Sequence, residues 1–112
     1  MDVFKQLGDL VTFSDEKMKK VNLFTTDRMF CDVYCFEPDQ KQTPHTHTGS
    51  DKIYYVLEGK AEIRIGQETK DVGPGEIALA PSGAEHGVSN PGPDRLTVLV
   101  FMAPKPMAPK PG

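Results

Sequence analysis

Gly75-Glu76-Ile77-Ala78-Leu79-Ala80-Pro81-Ser82-Gly83-Ala84-Glu85-His86-Gly87-Val88-Ser89-Asn90 is the stretch on which the fold of this chain turns. The Gly73-Pro74-Gly75 turn leads into a short apolar run, Glu76 to Ala80. Pro81 to Glu85 breaks that run with a second turn, and His86 to Ser89 resumes it. Proline lacks an amide proton and glycine favours backbone angles that end regular structure, so punctuation this dense argues against a long helix and fits short strands joined by tight turns. A single histidine stands at the start of the second strand.

Outward from this stretch the pattern repeats. Upstream, Lys60, Glu62 and Arg64 alternate with Ala61, Ile63 and Ile65 as in a half-buried strand, and Gly66-Gln67 closes a hairpin onto Glu68 to Val72. Ile53 to Leu57 precedes a turn at Glu58-Gly59. Val21 to Thr25 and Met29 to Phe36 read as a hairpin joined by Thr26-Asp27-Arg28. In its second arm Phe30, Tyr34 and Phe36 point opposite to Cys31, Val33 and Cys35, so both faces need cover. Downstream, Asn90-Pro91-Gly92-Pro93 leads into Leu96 to Met102. Eight or nine short strands at regular spacing predict an all-β antiparallel barrel or jelly roll. Residues 1–102 form one domain on this reading, and the doubled Ala-Pro-Lys-Pro unit of 103–112 is a proline-rich tail favouring polyproline II. Val3, Phe4 and Leu7 read as one helical turn ended by Gly8 or as part of a docked arm, and Glu37 to Thr43 as a polar loop.

The 112 residues carry a formal net charge of −3 with lysine and arginine dispersed, which argues against a nucleic-acid partner. The apolar runs are too short to span a membrane, and the N-terminus lacks the order of a signal peptide; a cytoplasmic protein is expected. Cys31 and Cys35, four positions apart in one strand, are too distant for a disulfide and read as small buried apolar residues. The two apolar faces of Met29 to Phe36 predict a homodimer that covers the outer one.

All three histidines lie in two short clusters, His45-Thr46-His47 and His86. Positions i and i+2 of an extended segment share a face, with Cα atoms about 6.6 Å apart. That is chelate spacing, and imidazole is a common ligand for transition metals.

The chain resembles the cupins, small double-stranded β-helix barrels with a metal site at one end. Their second motif, G-x5-P-x-G-x2-H-x3-N, is matched at Gly75, Pro81, Gly83, His86 and Asn90. Their first, G-x5-H-x-H-x3,4-E-x6-G, is matched at His45, His47 and Gly59, with Asp39 replacing the opening glycine. The departure is at the glutamate, where Lys52 stands, one position after Asp51. In a regular strand Lys52, Tyr54 and Val56 share one face and Asp51, Ile53 and Tyr55 the other. Three arrangements are open. A bulge over Gly49-Ser50-Asp51 brings Asp51 in as a fourth ligand. Alternatively Lys52 bends out to solvent, leaving three histidines and water, or the metal is lost and the histidines with Lys52 bind an anionic small molecule.

The resemblance implies one divalent transition metal ion (Zn, Fe, Mn, Ni or Cu) on His45, His47 and His86, and a small-molecule ligand or substrate. It allows a dioxygenase, an isomerase or a lyase; the alternative is a non-catalytic binding or sensing protein, with or without metal. Lys52, Tyr54, Phe30 and Tyr34 are the pocket candidates. Tyr54 is expected to pack with its hydroxyl satisfied, and Glu85 to face solvent rather than orient His86.

Overall fold

The computed structural model describes residues 2–106, and the architecture is two antiparallel sheets closed face to face. Nine strands follow in order: β1 (Lys19–Thr25), β2 (Phe30–Phe36), β3 (Lys41–Thr46), β4 (Asp51–Glu58), β5 (Ala61–Ile65), β6 (Glu68–Val72), β7 (Ile77–Ala80), β8 (Glu85–Ser89) and β9 (Leu96–Ala103). One sheet has the order β1-β2-β9-β4-β7 and the other β3-β8-β5-β6. Alternation puts Tyr34, Phe36, Tyr54, Val56, Ile63, Val88 and Val98 between the sheets in one buried core.

The outer face of β2 is buried too. Leu7, Leu10, Val11 and Phe13, around a 3-10 turn at Leu7–Asp9, pack on Leu23, Cys31, Val33 and Cys35. Both cysteines are free thiols whose pKa burial raises. The chain thus covers by itself the face that suggested a homodimer, and that reason for a dimer falls away. The outer rows run Val33–Leu99–Tyr55–Ile77 and Cys31–Phe101–Ile53–Leu79. The N-terminal segment does not reach their β7 end, where Ile77 is 64% and Leu79 52% exposed.

Two elements differ from the sequence reading. The expected loop over Glu37 to Thr43 already contains β3, which begins at Lys41 and carries Pro44 inside it. Proline is tolerated because β3 is an edge strand and its register shifts between Gln42 and His45. The expected tail starts later: Ala103 is still in β9, the Pro104 carbonyl accepts from Ser50 Oγ (2.7 Å), and Lys105 N–H donates to the Arg28 carbonyl (2.7 Å). Residues 107–112 of that tail lie outside the described residues. No helix among the described residues is long and apolar enough to cross a membrane.

Candidate metal centre

β3 and the residue after it supply His45 and His47, β8 supplies His86, and His45 and His86 are direct cross-strand partners. Gly87 makes that approach feasible: a Cβ there would lie 3.0 Å from the Gln42 carbonyl oxygen and from two backbone atoms of Pro44. A second device ties the clusters together. In the Pro81-Ser82-Gly83 turn, Gly83 N–H donates to the His47 carbonyl (2.8 Å) and Ser82 N–H to Asp51 Oδ1 (2.9 Å), while Ser82 Oγ accepts from Gly49 N–H (2.7 Å). The turn ahead of His86 is thereby fastened to the loop after His47.

The three imidazoles converge. Ring centroids are 4.6 Å apart for His45 and His47, 4.4 Å for His45 and His86, and 5.4 Å for His47 and His86. One ring nitrogen from each lies within 4.8 Å of the others. His45 Nδ1 is 3.0 Å from the Thr43 carbonyl oxygen and His86 Nδ1 3.0 Å from that of Ala84. A carbonyl only accepts, so Nδ1 carries a proton in both rings and Nε2 is the nitrogen left to ligate. His86 is 2% exposed, and its Nε2 is buried without a hydrogen-bond partner. Burial pushes the His86 pKa down to about 4, with Lys52 and the other two histidines acting the same way against the Ala84 hydrogen bond. Burial, then His45 and the nearby lysines, also lowers that of His47. At neutral pH these two rings are neutral, the form that ligates. Buried polar atoms are normally paired; an orphaned nitrogen aimed at two further imidazoles fits a divalent transition ion.

Asp51 is not part of this cluster. The register of β4 against β7 and β9 is regular from Asp51 to Tyr55, so no bulge turns the carboxylate inward, and it binds the Ser82 amide on the outside. Lys52 does not bend out to solvent. It is 2% exposed and points inward with Tyr54 and Val56. Its Nζ lies 5.2 Å from the ring centroid of Tyr34 and 5.2 Å from that of Tyr54, and the Tyr54 ring is 6.2 Å from that of His86.

Both tyrosines are buried, and burial raises their pKa values, that of Tyr34 to about 12. Tyr54 donates its hydroxyl proton to Gln42 Oε1 (3.4 Å), and Gln42 Nε2 donates to the Tyr34 hydroxyl (3.4 Å). Phe30 is half-buried in the cross-strand row Phe30–Met102–Lys52. Glu85 pairs with Arg64 (2.7 Å), its side chain 44% exposed, and leaves His86 to the Ala84 carbonyl.

Sequence reading missed Gln42, because Glu37 to Thr43 reads as a polar loop. It also missed Asp32, which shares the inward face of β2 with Phe30 and Tyr34 and accepts from Asn22 Nδ2 (2.8 Å). A lone acid alternating with aromatic residues was the available signal.

Two further motif positions act on the backbone. Asp39 has φ +70°, a left-handed conformation that aspartate tolerates better than most residues, which explains its standing where the family pattern has glycine. Asn90 donates to the carbonyls of Phe36 and Asp94 and accepts from Gly92 N–H, closing the end of the barrel away from the histidines.

A double-stranded β-helix with three histidines at one mouth is the cupin architecture. The family model described as Cupin domain matches residues 32–102, and the chain belongs to this family. It is similar to TT1209 from Thermus thermophilus, with 44% identity, 92% of this chain and 98% of that one covered, and a TM-score of 0.89. A conserved double-stranded β-helix protein from Klebsiella pneumoniae superposes with a TM-score of 0.86 at 24% identity over 93% of this chain and 91% of its own, a likeness of fold. The uncharacterized protein SCO3923 of Streptomyces coelicolor is 29% identical over 98 residues, 88% of this chain and 83% of that protein.

Proposed function

We propose that this cupin holds one divalent transition metal through His45, His47 and His86 and acts on, or binds, a small organic molecule at that ion. The buried, unpartnered Nε2 of His86, facing two more imidazoles, is the observation that carries the reading. When bound, such an ion supplies a Lewis acid, or a redox centre if the metal is redox-active. The chain's own part is positional. The Thr43 and Ala84 carbonyls hold two rings in the ligating tautomer, and the Asp51–Ser82 and His47–Gly83 hydrogen bonds keep the two clusters in register. His45 and His47 are half-buried and His86 buried, so the site opens on the side of the histidine pair.

Elemental analysis of the purified full chain, followed by cobalt(II) titration of the metal-free protein read by visible absorption, tests this. One ion per chain with the absorption of a nitrogen-ligated cobalt site supports the proposal; no stoichiometric retention of any transition metal overturns it. A redox-active metal with oxygen uptake on a substrate panel assigns a dioxygenase, and turnover without oxygen assigns an isomerase or lyase.

A further inference from the structure

Lys52 is a buried cation without a counterion. Among the described residues it takes part in no ion pair and no side-chain hydrogen bond. The tyrosine faces on either side favour an ammonium group, and the Tyr34 and Tyr54 hydroxyls are bonded to Gln42 rather than to the lysine. Asp32 acts on Lys52 only from beyond ion-pair distance, and its Oδ1 is engaged by Asn22. Uncompensated burial therefore pushes the lysine pKa down to about 7, with Lys20 adding to the effect and Asp32 opposing it. The surroundings are cationic as well. A cleft of about 530 Å³ beside β1 and β3 is lined by Lys17, Met18, Lys19, Lys20, Lys41 and Gln42. Gln42 is also the residue that bonds the two tyrosines flanking Lys52.

From this arrangement we infer that the ligand of the barrel mouth is a small carboxylate whose charge is taken by the Lys52 ammonium while the rest of the molecule faces the three histidines. This rests on the metal reading above and names its substrate class. The physical reason is charge balance. Three neutral imidazoles leave a divalent ion uncompensated, and a lysine where the family motif has glutamate makes the site more cationic by two charges. A desolvated ammonium beside such an ion persists only if an anion enters with it. A carboxylate accepts charge-assisted hydrogen bonds from the lysine, and its uncharged amide leaves the ammonium buried and unpaired.

The test is calorimetric titration of the zinc-loaded full chain with pyruvate, acetate and malonate, and with pyruvamide as the uncharged counterpart, in the wild type and in Lys52→Met and Lys52→Arg. Binding of at least one carboxylate is expected. Pyruvamide should bind about tenfold more weakly than pyruvate or worse, and Lys52→Met should lose about tenfold or more in carboxylate affinity while keeping its zinc. Lys52→Arg should retain part of that affinity. Unchanged carboxylate affinity in zinc-replete Lys52→Met overturns the inference, as does failure of all three carboxylates to bind the wild type at millimolar concentration. The same titrations on metal-free protein separate the two readings. If zinc is not retained, the metal proposal fails, whereas carboxylate binding that depends on Lys52 still supports this one.

Discussion

The two ends of the barrel interior are built by the same strands and hold opposite chemistry. At the closed end β2 contributes Phe36, β4 Val56, β5 Ala61, β8 Val88, and β9 Leu96 and Val98, all buried in one apolar cluster. At the open end β4 contributes Lys52, β8 His86 and β2 the half-buried Asp32, with Met102 and the tyrosine rings between. Two residues along a strand advance the chain by about 6.5 Å on the same face, so Val56 and Lys52 are separated only by Tyr54. The apolar end lets the polar end exist. Strands anchored by close-packed apolar side chains hold three imidazoles and a lysine in positions that none of them would choose for its own hydration. The difference lies in what each side chain needs: apolar groups are satisfied by the barrel itself, whereas His86 Nε2 has no hydrogen-bond partner and Lys52 has no ion pair among the described residues.

Substitutions at the two ends should therefore behave oppositely. The largest effect is expected for His86→Ala, which removes the most buried of the three imidazoles. Its transition-metal affinity should fall by about a thousandfold or more, roughly 4 kcal/mol, with circular dichroism unchanged. Metal retention near the wild-type level would dissolve the distinction between the ends. Next, Leu96→Ala at the closed end should cost about 3 kcal/mol in urea unfolding through lost burial and a residual cavity, with metal stoichiometry unaltered.

Lys52→Met reverses the sign. Replacing a desolvated cation by an apolar side chain of similar length should stabilise the metal-free protein at neutral pH by about 1–3 kcal/mol, with metal binding equal or tighter. The lysine pKa drops from its ordinary 10.5 in the unfolded chain to about 7 in the fold. The unfolded state therefore binds the extra proton between those values, so wild-type stability should rise with pH from about 7 to 10.5, and the full cost is present below 7. Urea midpoints followed across that range should slope upward in the wild type; an equal slope in Lys52→Met would assign it to another group.

Smaller effects come from the outer shell. Asp51→Ala removes the acceptor of the Ser82 amide and should lower stability by about 1 kcal/mol and metal affinity by no more than about tenfold. A loss as large as that of His86→Ala would instead make Asp51 a ligand. Glu85→Gln breaks a half-exposed pair with Arg64, and thermal denaturation should register less than about 1 kcal/mol with metal content constant.

By itself the sequence determined the strand pattern, because short apolar alternation bounded by glycine and proline admits few other structures, and its two histidine motifs, far apart in the chain, marked one site. It also set which side chains of β4 share a face, since that parity is a property of a single strand. Only the tertiary structure decided what depends on groups distant in sequence. Asp51 faces the Ser82 amide because β4 keeps its register beside β7 and β9. Gln42 joins the site because an edge strand tolerates Pro44, and the outer face of β2 is covered by Leu7, Leu10, Val11 and Phe13. Lys52 stays buried because the rings of Tyr34, from another strand, and Tyr54 enclose it. Each of these outcomes turns on which distant backbone or ring offers a partner, and local pattern carries no record of that.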